Sequence, residues 1–303
     1  MSVVFEQVLI LLIFAAVGYT LCKTGLVSGD KTSLLSTLEV YIFLPCVIFN
    51  TFSQRFTVDY LRDKYMLLIA SAVLLILLVI GARFVAHWMI RDSYQRLVYR
   101  YSLTVPNYGY VGYALAESIF GSATLLDVMI FVLPISVYTY SIGYAMLTNC
   151  TDRKQIVKKL INPPMIATFL GSLAGITGFA MPSVLQDVVQ KAGACMSPVS
   201  MLLIGMVISQ YDLKSLLTHK QAYMICAMRL LVIPVLVHLL LKLTSMETVM
   251  TAAVLIYCMP CGANTIVFAK MTGQDCRTGA SLSLISTVLS VITIPLCVYF
   301  LIG

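Results

Sequence analysis

The sequence predicts an all-α polytopic membrane protein with about ten transmembrane helices, and three observations lead to this fold class. Hydrophobic residues make up 60% of the chain and charged residues only 11%, whereas a soluble domain carries about 25% charged residues. Apolar runs long enough to cross about 30 Å of hydrocarbon recur along the whole sequence. Two of these runs are interrupted by proline, glycine and asparagine at matched places in the two halves.

The apolar runs set out the spans in order. The first run has no basic leader before it and no small-residue cleavage site after it, so it is interpreted as a span and not as a signal peptide. The longest polar connection, 149–162, is too short to fold alone and is expected to tether a first half, 1–148, to a second half, 163–303. The predicted spans are 3–22, 31–53, 64–90, 101–120, 124–148, 163–181, 185–209, 219–243, 248–271 and 276–302.

The net charge of +7 does not indicate nucleic-acid binding, because the basic residues follow loop parity. Cytoplasmic loops carry the excess of Lys and Arg, so the odd loops are expected in the cytoplasm and both termini outside, in a multi-pass protein of the cell membrane. The odd loops hold Lys23, Lys31, Arg91, Arg96, Arg100, Arg153, Lys154, Lys158, Lys159, Lys214, Lys220, Lys270 and Arg277, whereas the even connections hold only Arg55, Arg62, Lys64, Lys191 and Lys242.

The nine cysteines do not predict a disulfide framework, because their number is odd and most of them lie in apolar runs. There they behave as small hydrophobic residues. Cys258 and Cys261 have redox-motif spacing, but they do not follow a strand. The three histidines are too far apart in sequence to suggest a metal site. No metal and no cofactor is therefore expected.

The interrupted runs, 105–112 and 258–265, are each expected to form two half-helices that meet at an unwound centre. Proline removes a backbone donor and glycine destabilises a helix interior. Unwound backbone persists at membrane depth only where it is buried in protein or lines a cavity. One such segment in each half is the best sequence indication of a transporter binding site.

The two halves also share landmarks at a nearly constant offset. Pro198 follows Pro45 by 153 residues, and Thr272-Gly273 follows Phe120-Gly121 by 152. A repeat with five spans, an odd number, ends on the opposite side of the membrane from its start, so the next repeat has the inverted orientation. The halves are therefore expected to form a five-plus-five inverted repeat, related by a pseudo-two-fold axis in the membrane plane.

Four segments resemble the signature segments of the auxin efflux carrier family, which also includes bacterial permeases for malonate, malate and related organic acids. They are YIFLPCVIFN at 41–50, NYGYVG at 107–112, PVSMLLIG at 198–205 and MPCGANTIVFAKMTG at 259–273. The resemblance extends over nearly the whole chain, and the short central loop is similar to that of the bacterial members. It implies ten spans in an inverted repeat, with the fourth and ninth helices crossing at their unwound centres and substrate bound beside the crossing.

The chain departs from the family pattern at Tyr113 and Thr265, where many members have a proline at each crossover. Tyr113 is also bulkier and is expected to narrow or reshape the pocket. The substrate therefore cannot be copied from a relative.

The candidate substrate-binding residues lie at the two interruptions. Helix N-termini near Val111 and Thr265 carry partial positive charge and unpaired donors, which suits a carboxylate. The asparagines either cap the half-helices, contact substrate, or do both, while glycines such as Gly112 have close helix packing as an alternative role. The predicted substrate-binding residues are Asn107, Tyr108, Gly109, Tyr113, Pro260, Cys261, Gly262, Asn264 and Thr265.

Two carboxylates within spans, Glu117 and Glu39, are candidates for coupling to an ion, because such groups are rare and usually face a cavity. A structural, hydrated carboxylate is the alternative for each. Pro45 and Pro198 are expected to bend the second and seventh spans. Arg229 is expected to pair with a carboxylate or a carbonyl and not to bind substrate.

These features predict a secondary active transporter of small organic anions, mono- or dicarboxylates, working by alternating access, with the first, second, sixth and seventh spans moving as a unit. No Walker-type segment is present to hold ATP, so H⁺, Na⁺ or the membrane potential would supply the energy. A prenyl-transferase-like enzyme is disfavoured because no Asp-x-x-x-Asp cluster lies in a span. A membrane sensor on a transporter fold and a sodium-coupled symporter of the bile-acid-carrier type remain alternatives, and a homodimer stays open.

Overall fold

The computed structural model describes residues 2–28, 32–244 and 246–302, and these ranges fold into helices without any β-strand. This agrees with the predicted all-helical class. The helices are α1 Ser2–Lys23, α2 Thr32–Arg55, α3 Val58–Lys64, α4 Met66–Met89, α5 Ser93–Thr104, α6 108–120, α7 121–148, α8 Arg153–Leu160, α9 Pro163–Thr177, α10 Ser183–Ser209, α11 Leu213–Leu217, α12 Lys220–Leu243, α13 Glu247–Tyr257, α14 Asn264–Met271 and α15 Arg277–Ile302.

Seven helices in the described ranges are long and apolar enough to cross a membrane, or eight if the pair α8 and α9, bent by 50°, forms one span. The chain is therefore a multi-pass membrane protein. The seven include one continuous stretch, Tyr113–Thr148, that covers parts of both α6 and α7. We divide it at Gly121 because φ of +81° and ψ of 177° there are not helical.

Both predicted interruptions are present. Helix α5 ends at Thr104 and α6 begins at Tyr108, while α13 ends at Tyr257 and α14 begins at Asn264. None of these four helices would cross the membrane alone. The prediction of half-helices is confirmed.

Two span boundaries differ from the prediction by four residues or more. The fourth was expected to begin at residue 101, but α5 begins at Ser93, where the Asp92 side chain accepts a hydrogen bond of 2.7 Å from the Gln95 amide. Residues 93–100 are too polar for a hydropathy pattern to detect. The sixth was expected to reach 181, but α9 ends at Thr177 because Gly178 takes a left-handed conformation with φ of +65°.

Two helix pairs pack at very short range, α1 with α10 and α9 with α2. A Cβ on Gly205 would lie 1.8 Å from the Ala15 carbonyl oxygen, and one on Gly175 would lie 2.3 Å from the Phe56 carbonyl oxygen. Only glycine permits such approach, as in other membrane helix interfaces with small residues. Backbone contact thus holds α1 to α10 and α9 to α2.

The remaining long helices form a second set of contacts. Helix α4 packs on α5 and α7, and α12 packs on α13 and α15. This arrangement surrounds both broken helices with long apolar ones, and it buries the interruptions, since Val105, Met259 and Cys261 are at most 1% exposed. The unwound backbone is therefore shielded from lipid, as its unpaired polar groups require.

Candidate functional site

The first interruption consists of Val105, Pro106 and Asn107. Helix α5 ends as the Val105 amide donates to the Tyr101 carbonyl at 2.7 Å, and Pro106 then has no amide proton with which to continue the helix. Helix α6 restarts on Asn107, whose carbonyl accepts from the amides of Val111 and Gly112 at 3.3 and 3.1 Å. A π-type turn, Tyr108–Gly112, follows directly, and such turns occur frequently at functional sites.

The second interruption runs from Cys258 to Ala263 and includes Pro260. Helix α14 begins after it, where the Ala263 carbonyl accepts from the amides of Ile266 and Val267 at 2.9 and 3.2 Å. Each half of the chain therefore supplies one helix C-terminus and one helix N-terminus to the same region.

The two interruptions pair with each other as a single antiparallel β-bridge between Pro106 and Cys261. The Asn107 amide donates to the Pro260 carbonyl at 2.8 Å, and the Gly262 amide approaches the Val105 carbonyl at 3.4 Å. Backbone amides and carbonyls that lack a helical partner in one segment thus form hydrogen bonds with the other segment. We call this contact, formed by 105–107 and 260–262, the crossover.

A buried arginine forms hydrogen bonds to carbonyls on both segments of the crossover region, next to the helix C-termini. Arg229 of α12 is 0% exposed, and its guanidinium donates to the carbonyls of Leu103 at 3.1 Å, Met259 at 3.2 Å and Ile256 at 3.5 Å. It also stacks 5.5 Å from the centre of the Tyr257 ring. Leu103 and Ile256 lie at the ends of α5 and α13, where partial negative charge accumulates, and Met259 lies in the second interruption. The expectation that Arg229 pairs with a carbonyl is confirmed.

The N-termini of α6 and α14 both begin at the crossover. The first amides of a helix have no partner within the helix, and the helix dipole adds partial positive charge there. No carboxylate of the described residues forms a salt bridge with Arg229. The crossover is therefore electropositive and can hold an anion.

The two candidate asparagines differ in their contacts. The Asn107 side chain is only 3% exposed, makes no capping hydrogen bond, and leaves its Nδ2 without a partner among the described residues. Asn264 is half-buried, and its Nδ2 donates to the Tyr101 hydroxyl at 3.1 Å. Side-chain capping, one of the two expected roles, is thus not used by Asn107.

Thr265 and Tyr108 are also anchored. The Thr265 hydroxyl donates back to the Gly262 carbonyl at 3.2 Å, and the Ser136 hydroxyl donates to the Tyr108 hydroxyl at 3.2 Å. Tyr113 is buried with its ring centre 6.0 Å from that of Tyr108. Both rings line a void of only about 30 Å³.

The glycines divide between two uses. A Cβ on Gly112 would lie 3.1 Å from the Ile256 side chain, and one on Gly262 would lie 3.3 Å from the Pro106 carbonyl, so both serve close packing at the crossover. A Cβ on Gly109 would meet nothing within 4 Å. Space beside Gly109 therefore remains for a ligand or for movement.

A larger cavity of about 300 Å³ lies next to the second interruption, between α2, α10, α14 and α15. This size is at the lower end of small-molecule sites. Its wall is mostly apolar, with hydroxyls from α2 and α15. The lining residues are Thr32, Ser33, Ser36, Leu203, Ile204, Val207, Ile208, Ala263, Ile266, Val267, Ala280 and Ser283.

The two candidate coupling carboxylates lie in opposite environments. Glu117, on the π-type turn Ala116–Phe120, is exposed. Glu39 of α2 is 0% exposed and hydrogen bonded to the Ser200 hydroxyl of α10. Pro45 follows a π-type turn that begins at Glu39.

Pro198 follows an interruption of α10 at Cys195. Helical hydrogen bonding is thus irregular near both of the prolines that were expected to bend their spans.

The sequence left several contributors undetected. Tyr101 contacts Asn264, Ser200 contacts Glu39, and Ser286 contacts the Cys261 amide. These partners are between 25 and 163 residues away in sequence. Hydroxyl residues within apolar spans carry no motif, so no sequence signal distinguishes them from ordinary helix positions.

Comparisons with known proteins agree with this architecture. A family described as "Membrane transport protein" matches residues 3–298. A protein of Rhizobium meliloti (strain 1021), named "Putative malonate transporter", is 22% identical over 285 residues, which cover 90% of this chain and 88% of the relative. The match thus includes both interruptions and the helices around them.

Proposed function

This chain belongs to the membrane transport protein family, and from that premise we propose that it is a secondary active transporter of small organic anions that works by alternating access. The auxin efflux carrier resemblance and the Rhizobium relative named for malonate both favour carboxylates. We therefore take mono- and dicarboxylates of about the size of malonate as the substrate class.

The observation that carries the proposal is the crossover, because it brings two helix N-termini to one buried point. The starts of α6 and α14 supply unpaired amides and partial positive charge. The buried Arg229, with no salt-bridge partner in the described part of the chain, adds a full positive charge behind the bridge. An anion would offset this charge at low cost, whereas a cation would be repelled.

Asn107 supports the same position for the anion. Its buried Nδ2 lacks an acceptor among the described residues, and an unpaired buried donor costs about 1 to 3 kcal/mol. A carboxylate oxygen beside the crossover would accept that hydrogen bond. We therefore propose the predicted site residues around 107–113 and 260–265 as the substrate site.

The cavity of about 300 Å³ is the proposed route to that site. It lies between the second interruption and the starts of α2 and α15. From the basic residues of the odd loops we infer that these helix ends face the cytoplasm. On this proposal the conformation faces the cytoplasm, with both termini outside.

Helix packing supports a ten-span inverted repeat with units 1–148 and 163–303 joined by 149–162. In such a repeat the sixth span, α9, corresponds to the first, α1, and the seventh span, α10, corresponds to the second, α2. The pair of α1 and α10 is therefore equivalent to the pair of α9 and α2, and both pairs pack closely. We propose that these four helices move as one unit against the helices that hold the crossover.

Transport into liposomes tests the proposal. Purified protein in proteoliposomes should take up radiolabelled malonate or another small carboxylate with saturation, whereas the uncharged diamide malonamide should neither enter nor compete. Binding of carboxylates without any uptake would indicate a sensor and contradict the transporter. Uptake of malonamide at the rate of malonate would contradict an anion site.

A further inference from the structure

Glu39 lies at the contact between two of the proposed moving helices. It begins a π-type turn of α2, Glu39–Phe43, and its carboxyl contacts the Ser200 hydroxyl of α10. The side chain is 0% exposed, and Oε2 has no hydrogen-bond partner among the described residues. An ionisable group inside a span in such a position is usually functional.

Counting protons relates the state of this carboxyl to the acceptor that the Ser200 hydroxyl uses. Ser200 Oγ lies within hydrogen-bond distance of Glu39 Oε1 and also 2.6 Å from the Met196 carbonyl oxygen. A hydroxyl has one proton to donate, and the carbonyl can only accept. If Ser200 donates to Met196, the proton between Ser200 and Glu39 must belong to Glu39.

The surroundings favour the case in which Glu39 carries the proton. A buried carboxylate without a cation or several donors is very costly, so the group takes up a proton. No Lys or Arg in the described ranges forms an ion pair with Glu39, and Lys31 lies outside them. Lys191 is nine residues before Ser200, about 13 Å along α10. The other titratable side chains on the helices packed against this turn are Tyr41, Cys46 and Arg55 of α2 and Asp187 and Cys195 of α10, with Tyr140 nearby on α7.

Glu39 and Ser200, the buried pair, also lie next to the proposed substrate route. Ser36, one helical turn before Glu39, and Leu203, three residues after Ser200, both line the cavity of about 300 Å³. Residues three apart on a helix lie on the same face. A change at the pair would therefore alter the wall of the cavity, and a change in the cavity would alter hydration of the pair.

We propose that Glu39 is a proton-binding site, protonated in this conformation and deprotonated in another, that couples a proton to movement of α2 and α10. When these helices shift and water reaches Oε2, the proton leaves to water and the carboxylate remains hydrated. Return to the buried position requires a proton again. The protonation itself stands on the geometry, while its coupling to anion transport rests on the proposed function.

Infrared spectroscopy tests the protonation without any substrate. Wild-type protein in lipid at neutral pH should show a carboxylic acid C=O band that is absent from Glu39→Gln, because glutamine keeps the shape and cannot be protonated. Exposed Glu6→Gln is the matched control and should keep the band. If Glu39→Gln does not fold, Ser200→Ala should shift the same band. An identical band in wild type and Glu39→Gln, or an unshifted band in Ser200→Ala, would overturn the proposal.

Malonate transport tests the coupling. In proteoliposomes, a pH gradient should accelerate wild-type uptake of radiolabelled malonate, whereas Glu39→Gln should show the same uptake with and without the gradient and still exchange malonate. Acceleration that persists in Glu39→Gln would refute coupling through this site. If wild type transports no carboxylate but the infrared band is present, the proposed function fails and the proton site stands.

Discussion

Asn107 is the residue that most clearly links structure to ligand binding. Nearly every buried donor in a folded protein has a partner, yet its Nδ2 has none among the described residues. In contrast, Nδ2 of Asn264 donates a hydrogen bond to the Tyr101 hydroxyl. At the residue scale, we therefore propose Asn107 as a substrate contact and Asn264 as a residue that supports the site.

Replacing Asn107 separates binding from folding. Asn107→Ala removes a donor that no described residue accepts, so we expect thermal stability to stay near that of wild type. Anion binding should weaken by roughly 10- to 100-fold, and Asn107→Asp should weaken it further through charge repulsion. Binding is measured by isothermal titration with the best carboxylate, and exposed Lys158→Ala is the control. Wild-type affinity in Asn107→Ala would remove this residue from the site.

Arg229 is expected to position the crossover. Arg229→Met would delete three donated hydrogen bonds, to the ends of α5 and α13 and to Met259 in the second interruption, so we expect a loss of about 2 to 4 kcal/mol in unfolding free energy. Arg229→Lys keeps the charge but not the planar fork, and should lose less. Thermal unfolding in detergent measures both. An unchanged unfolding temperature in Arg229→Met would show that the carbonyl contacts do not hold the crossover.

Single elements were predictable wherever local chemistry decides the structure. Proline and glycine in 105–112 and 258–265 located both unwound segments, because the missing donor and the flexible backbone act locally. The start of α5 was placed eight residues too late, since 93–100 is too polar for a hydropathy pattern to detect and only Val98 and Tyr99 of this range are buried. The pairing of Pro106 with Cys261 joins residues from opposite halves, and only the resemblance to a family implied it.

Close packing of α1 on α10 gives a prediction for these elements. Gly205→Ala would force a Cβ against the Ala15 carbonyl, and overpacking of this kind costs about 1 to 3 kcal/mol. Gly81→Ala, in α4, meets nothing within 4 Å and should be neutral or slightly stabilising. Thermal unfolding of the two variants compares them directly. Equal stability would mean that the backbone contact of α1 with α10 is not present in the membrane.

At the scale of the whole molecule, the proposed motion is that of α1, α2, α9 and α10 as one unit against the bundle that holds the crossover. The predicted orientation rests on loop charge alone. In a cysteine-free background, Lys158→Cys should be protected from an impermeant thiol reagent in intact cells, and Asp59→Cys should react. Both positions are exposed in the protein. Reaction at residue 158 with protection at residue 59 would reverse the orientation.

The location of a bound anion tests the central claim most directly. Crystals of the protein in complex with a bromine-substituted form of the transported carboxylate, bromomalonate if malonate is the substrate, would reveal the ligand by anomalous scattering. The account predicts one bromine peak beside the crossover, between the first residues of α6 and α14 and in reach of Asn107 Nδ2. A peak elsewhere, with the crossover empty, would contradict it.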